Sequence, residues 1–470
     1  MPSPFTKDRR NTMQDNRLSR RAFLRSVGLG ATGLWLAACA APTAAPGTES
    51  AEGGAAPGAA AITLDFFAWG DQTDIPAWEQ LAQNYMEMHP NVTLNVSPTP
   101  GADYYAKLQT LFAGGTPPHV ASFQGWEWQP YADRGLLAPL DEYVQDSGLT
   151  APYPEGIRSL EVSTRRNGQI YLMPLQVATM VMFYVPALFE EAGVDLPTDD
   201  WTFEDFLAKA EAITDTSGDK KRYGYQANGI WPRDIHWIRG TGKQEFDELV
   251  DPHTAMFDQP EIIDVIQIVA QDVIYKMGVA PLPADTDTGA NTIQTGNVAM
   301  KYEGAWFFTQ LNSPALREEG KEIVFDVVMM PKQQDPERPH RGWSEGVAIP
   351  RTDLVGEAWG FVSYMGGEEG NKLYATITGR IPNNLDLIEN FWIPTIAERF
   401  QVQNGKAFLE AIKRSEVDVI GGVSRTQMWN EVVKPDGWDR LNNNSATAAE
   451  VLPVVNAGVQ ALLDEYWANQ

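Results

Sequence analysis

The chain has 470 residues, enough for two domains with sizeable cores, and its apolar (43%), aromatic (10%) and charged (21%) fractions are ordinary for a globular protein. The charge is not ordinary: it is −26 overall, and setting aside residues 1–38, with seven Lys/Arg and two Asp/Glu, leaves 29 basic against 60 acidic side chains, a balance of −31. Such a surface repels nucleic acid and anionic lipid, and disfavours anionic ligands unless a local basic pocket exists.

The stretch Leu18 to Cys39 opens with the pair Arg20 and Arg21 and continues into a charge-free apolar run, Val27 to Ala38. Roughly 12 residues cannot span a hydrocarbon core that needs about 20, so the segment reads as a removable export signal and not as a membrane helix. Its end, Leu36-Ala37-Ala38-Cys39, resembles the bacterial lipobox, in which cleavage precedes a cysteine that then carries lipid. Ser19-Arg20-Arg21-Ala22-Phe23-Leu24-Arg25 resembles the twin-arginine export motif, departing only at Arg25, where lysine is usual. Cys39 is the single cysteine and has no disulfide partner, as a lipidated residue requires none. Gly28, Gly30 and Gly33 fit G-x-G-x-x-G, but no strand precedes them, and the dinucleotide reading is discarded. Residues 1–38 are therefore expected to be a signal peptide. Residues 39–61, rich in Ala, Pro and Gly, are expected to be a flexible tether spanning roughly 25 Å as coil.

Order begins at Ile62, where Ile62 to Ala68 reads as a strand. Ile75, Trp78, Leu81, Tyr85 and Met88 fall at helical spacing, Val92 to Val96 is a second strand, Tyr104 to Phe112 a second helix, and His119 to Phe123 a third strand. This alternation predicts an α/β domain with a largely parallel sheet. Gln169 to Leu175 and Met180 to Tyr184 read as two further strands. A helix over Trp201 to Ile213 opens on a Thr202-x-x-Asp205 capping box. Strands are expected at Tyr223 to Ala227, Val298 to Tyr302, Phe325 to Met330 and Gly346 to Ile349, and a long helix over Pro260 to Met277. Beyond Gly356 the pattern is mostly helical, with a break at Gly379 to Asn384.

Several stretches, in order, resemble the extracellular solute-binding proteins, family 1, of bacterial ABC importers, the group that contains maltose-binding protein. They are Gly114-Gly115-Thr116-Pro117-Pro118-His119-Val120, Arg134 to Asp141 (RGLLAPLD), Gly168 to Pro174 (GQIYLMP), Phe183-Tyr184 with Leu188 to Gly193 (LFEEAG), Thr295 to Met300 (TGNVAM) and Gly304-Ala305-Trp306. The chain departs from the family at His119, where Asp is common, and at Val185, where Asn is usual. The matching pieces span Ile62 to about Val459. The resemblance implies an α/β fold of the type II periplasmic-binding-protein kind: two α/β lobes joined by a hinge, with a ligand cleft between them. By it, residues 62–183 plus 345–383 would form the first lobe and 184–344 plus 384–470 the second. It also implies a carbohydrate ligand, ABC permease subunits as partners, a monomer, no cofactor and no catalysis. With the signal and lipobox, it places the protein outside the cell membrane or in the periplasm, anchored through lipid on Cys39.

Sugars have apolar C–H faces and rims of hydroxyls, so a site for them needs aromatic planes beside carboxylates or amides. Loops carrying that combination supply Trp69 and Asp71, Trp126, Glu127 and Trp128, Asn228 and Trp231, Trp306, and Trp343 and Glu345. The resemblance singles out Trp306 as a sugar-stacking residue, and Tyr184 and Arg380 fall near the implied hinge. Trp78, at helical spacing, is read as core. These loops are acid-rich, where a phosphate-bearing ligand would want Arg or Lys; the alternative solute is a polyol or a glycerol phosphodiester. Among catalytic readings, Gly342-Trp343-Ser344-Glu345-Gly346 fits the G-x-S-x-G elbow, but all five histidines precede Ser344 and the following segment reads as strand, where a hydrolase elbow needs helix. No His pair at i,i+4 and a single cysteine give no metal site. A glycoside hydrolase, needing aromatics and two carboxylates, is the serious catalytic rival. No G-x-x-x-x-G-K-[ST] loop is present, so ATP would be used by another subunit.

Overall fold

The computed structural model describes residues 60–70, 74–147, 149, 157–335, 337 and 340–470. The signal, Arg20, Arg21, Cys39, nearly all of the tether, and Asp71 lie outside the described residues. Among the described residues no helix is long and apolar enough to cross a membrane.

The N-terminal alternation folds as its periodicity demands. Strand β1 (Ile62–Trp69) pairs in parallel with β2 (Val92–Thr99) and with β3 (Val120–Gln124). Parallel neighbours need crossover connections, here helices α1 (Ile75–Met88) and α2 (Gly101–Ala113). Helix α1 buries Ala77, Trp78, Leu81, Ala82 and Tyr85 against the sheet, and Trp78 packs edge-on to Phe66 at 5.4 Å. Its indole N–H donates to the Trp69 carbonyl at 2.9 Å, so its ring is core, as the spacing predicts, and its polar handle is satisfied.

A small hairpin, β4 (Arg165–Arg166) and β5 (Gln169–Ile170), leads into β6 (Met173–Tyr184), twelve residues of which every one is buried. Two strands were expected here; one continuous strand is found. Gln176 and Thr179 interrupt the apolar pattern, yet both are satisfied in place: Gln176 donates to Glu345, and Thr179 donates to the Arg341 carbonyl at 2.9 Å. A strand buried on both faces need not alternate.

Strand β6 has two sets of neighbours. Its first half pairs with β9 (His340–Ala348) and β10 (Ile381–Pro382), its second half with β7 (Met300–Gly304) and β8 (Asp326–Val328). Strand β9 is shared in the same way: its end pairs with β3 and its start with β11 (Ser415–Val417). Two antiparallel strands thus run side by side from one half of the molecule into the other. Their close approach requires Gly346, where an added Cβ would stand 1.9 Å from the Met173 carbonyl oxygen. The apolar core divides accordingly. One large cluster gathers β7, β8 and the C-terminal helices; two smaller ones cover the two faces of β1 and β3.

The capping box forms: Thr202 accepts from the Asp205 amide at 3.1 Å and Asp205 accepts from the Thr202 amide at 3.0 Å. Tyr223 to Ala227 is not a strand but makes isolated bridges at Tyr223 and Gln226. The expected helix from Pro260 ends at Tyr275 and passes through a π-helical stretch, Gln267–Asp272. Further π-helical stretches are Ile388–Trp392 and Trp429–Trp438, the latter containing Pro435, whose missing N–H and ring an α-helical turn accommodates poorly.

Candidate functional site

Where β6 and β9 pass between the halves, a cleft of about 650 Å³ opens. Strand ends and crossings supply its walls. Trp69 ends β1, Gln124 ends β3, and Trp126 follows two residues later. From β7 come Lys301 and Glu303, with Trp306 just beyond; from β9 come Arg341, Trp343 and Glu345. Arg380 precedes β10, and Arg425 and Trp429 enter from the C-terminal helices.

The position of Trp306 is built into its motif. A Cβ on Gly304 would lie 2.2 Å from the Trp306 ring, so only glycine lets the indole fold back beside its own backbone. There its N–H donates to Glu303 Oε2 at 2.9 Å, while the Arg233 guanidinium sits 5.4 Å from the ring centroid and also binds Glu303. Trp306 and Trp69 are half-buried, as is Trp429, and all three line the cleft. Trp126 and Trp343 line it too but are only 2% and 3% exposed. Arg425 covers the Trp126 face at 3.7 Å and Arg341 the Trp343 face at 4.0 Å, so these two rings support arginines and offer little free face.

Among the described residues, five basic side chains line the cleft, Arg233, Lys301, Arg341, Arg380 and Arg425, against two carboxylates, Glu303 and Glu345. The expectation of an acid-rich site is thus corrected. Buried carboxylates behind the walls answer these charges. Asp74 takes Arg380 through two bonds of 2.8 Å, and Asp418 takes Arg341 at 2.8 Å and Arg425 at 2.7 Å. Burial raises the pKa of Asp418 but the guanidiniums of Arg341, Arg425 and Arg239 outweigh it and hold the carboxyl below its ordinary range. Burial, with Arg425 nearby, pulls Arg341 down to about 10; burial pulls Lys301 down to about 8 although Glu303 opposes it. Glu345 is raised by burial, against the pull of Arg380 and the Trp343 N–H, which donates to it at 2.7 Å. The result is a wall of oriented donors and braced acceptors around half-buried indoles.

The remaining sequence candidates fall elsewhere. Trp231 is fully buried against Phe246 and Phe257, in the core and not on the cleft, because the helix Trp231–Arg239 opens with that ring turned inward. Trp128 is also fully buried, donating to the Ser163 carbonyl at 2.8 Å. Tyr184 is buried and donates to Asp326 at 3.3 Å. Glu127 is buried behind Trp126, accepting from Thr426; its burial raises its pKa to about 7. Asn228 braces Lys301, accepting from its Nζ at 2.9 Å, and donates to the Tyr302 carbonyl at 3.0 Å. Ser344 of the elbow-like motif is buried in mid-strand, with its amide donating to Ser163. Sequence reasoning missed Arg233, Lys301, Glu303, Arg341, Arg425 and Trp429. Glu303 adjoins the Gly304-Ala305-Trp306 motif and could have been found there; the others carry no local signal.

Residues 69–372 match the family model for bacterial extracellular solute-binding proteins, well over half of the chain. An ABC substrate-binding protein of Listeria monocytogenes in complex with cycloalternan superposes with a TM-score of 0.74 at 20% identity, covering 86% of this chain and 99% of that one. The maltotriose-binding protein of Pyrococcus abyssi is 23% identical over 62% of this chain and 59% of its own length. The erythritol/L-threitol-binding protein of Mycolicibacterium smegmatis is 28% identical over 45% of this chain and 48% of its own. The structural neighbours have the type II periplasmic-binding fold, and so does this chain: two α/β halves, crossing strands and a cleft between them. On the extent of the family match and the fold together, the chain belongs to the bacterial extracellular solute-binding proteins.

Proposed function

We propose that this protein is the substrate-binding lipoprotein of an ABC importer, capturing a carbohydrate in the cleft and delivering it to the permease. The observation that carries the reading is the set of half-buried indoles, Trp306, Trp69 and Trp429, within a rim of braced arginine, glutamate and glutamine side chains. Indoles suit C–H faces; the rim suits hydroxyls. Because Asp74, Asp418 and Glu303 meet the cationic charges, the wall offers directed hydrogen bonds more than net charge, which fits a neutral sugar better than a phosphodiester. A small polyol would leave much of about 650 Å³ unfilled.

The mechanism is binding without catalysis. Glu303 and Glu345 are each tied by neighbouring donors, as acceptors rather than as an acid and a nucleophile. Lobes 62–183 plus 345–383 and 184–344 plus 384–470 would rock about β6, β9 and the Arg380 segment. Ligand shifts that equilibrium only by its greater affinity for the closed form. Removal of residues 1–38 and lipid on Cys39 would hold the monomer at the outer membrane face through its tether.

The test is a thermal-shift screen of protein beginning after Cys39 against mono- and oligosaccharides, polyols and phosphodiesters. A ligand at about 100 Kd adds about 2.7 kcal/mol, several degrees in Tm. The expected result is a shift by one sugar class, with the sugar recovered unchanged, and at least about tenfold weaker binding, or about 1.4 kcal/mol, in Trp306→Ala. Cleavage of the sugar would replace binding by hydrolysis; a shift by charged solutes alone would refute the carbohydrate assignment.

A further inference from the structure

A second chamber, of about 520 Å³, adjoins the cleft; the two share Ile230 and Thr286 as walls. Its size alone is that of a small-molecule site, about 300–1,000 Å³. Its chemistry is the opposite of the cleft's. Among the described residues lining it there is no aromatic ring, no lysine and no arginine; its polar lining is Asn228, Thr286, Asp287, Asp439, Asn442 and Asn443. Asn228 ties the two spaces together, lining the chamber while accepting from Lys301 of the cleft. Asn442 donates through Nδ2 to the Gly229 carbonyl at 2.8 Å, and its Oδ1 is buried with no hydrogen-bond partner. The groups that a ligand's hydroxyls would meet here are the side chains of Asn228, Thr286, Asn442 and Asn443.

From this we infer that the chamber is a second saccharide subsite, one that holds the unstacked, uncharged end of an extended ligand whose stacked units lie among the cleft tryptophans. The inference rests on the carbohydrate reading and adds ligand length and end chemistry to it. Without a ring to stack on, sugar units here are held through hydroxyls by amides and carboxylates. Asp439 is ion-paired with Lys434 at 2.6 Å, whereas Asp287 is exposed with no lining cation beside it, and its charge disfavours an acidic terminus.

The experiment is calorimetric titration of the soluble protein with length series, from monosaccharide to hexasaccharide, of α-1,4-glucans and of β-1,4-xylans, beside their terminally oxidised (aldonate) forms. Two variants accompany it. Asp287→Trp puts a bulky ring into the chamber's lining from an exposed position, and Asn442→Leu removes one of the chamber's three amides. Ligand-free melting reports whether each variant folds. The expected result is an affinity that climbs with length within the series that binds. In Asp287→Trp the longer members should bind about tenfold more weakly, or about 1.4 kcal/mol, while the shortest binder is unchanged. Flat affinity from the shortest binder upward, with both variants silent, overturns the second subsite and leaves the carbohydrate reading standing. Binding by no saccharide in the thermal-shift screen, with a shift by another solute, overturns the reading itself.

Discussion

Single residues in this protein have roles that residue type alone does not reveal. Trp231 and Trp306 sit in similar loop contexts in sequence, yet one is fully buried in an aromatic cluster and the other is half-buried on the cleft. Trp231→Ala should therefore cost about 3–5 kcal/mol of stability, as large aromatic truncations in cores do. Urea unfolding measures it, and a loss below about 1 kcal/mol would place the ring outside the core. Glu127 gives a pH signature. Its burial raises the carboxyl from 4.5 to about 7, so between those values the folded chain holds a proton the unfolded chain has released. Folding then takes up a proton, and stability falls as pH rises from about 4.5 to about 7. Glu127→Gln keeps an acceptor for Thr426 and removes this slope; unfolding curves of the two proteins with parallel pH dependence would rule out the assignment.

At the scale of elements, two glycines decide the geometry: Gly346, where β9 passes close to β6, and Gly304. Gly304 ends β7 and leaves the room in which the Trp306 ring lies. Gly304→Val should displace that ring, and the readout is twofold: weakened ligand binding by titration, and indole fluorescence altered in the free protein. Unchanged values of both would show that the ring does not depend on the glycine. The helices after Gly356 were legible as helices, but their two π-helical stretches were not. The turn through Trp429 to Trp438, around Pro435, positions a cleft tryptophan from the far end of the chain. Its apolar periodicity does not distinguish it from an α-helix; Pro435 is the local sign that an ordinary α-helical turn is interrupted. The strand β6 was read as two for a related reason: its polar Gln176 and Thr179 find partners on β9, about 160 positions away.

For the molecule as a whole, β6 and β9 are shared by both halves, and the proposed capture of ligand requires bending about them. Closure on ligand should lower the radius of gyration measured by small-angle X-ray scattering at saturating sugar. An unchanged value with bound sugar would mean that capture occurs without closure. What the sequence by itself determined was local: the parallel α/β start, the capping box at Thr202, the core role of Trp78, and the motif that carries Trp306. Periodicity, caps and a glycine beside a tryptophan act within a few residues of chain. Only the tertiary structure decided which tryptophans face the cleft and that its wall is basic yet balanced. Arg341 and Arg425 owe their places to Asp418 and to the faces of Trp126 and Trp343, and Arg380 owes its place to Asp74, 306 positions earlier. Buried charges are tolerated only where a counter-charge comes to meet them; in this chain Asp74 meets Arg380 within one half and Asp418 meets Arg341 and Arg425 within the other, so each partnership awaits the folding of its own half.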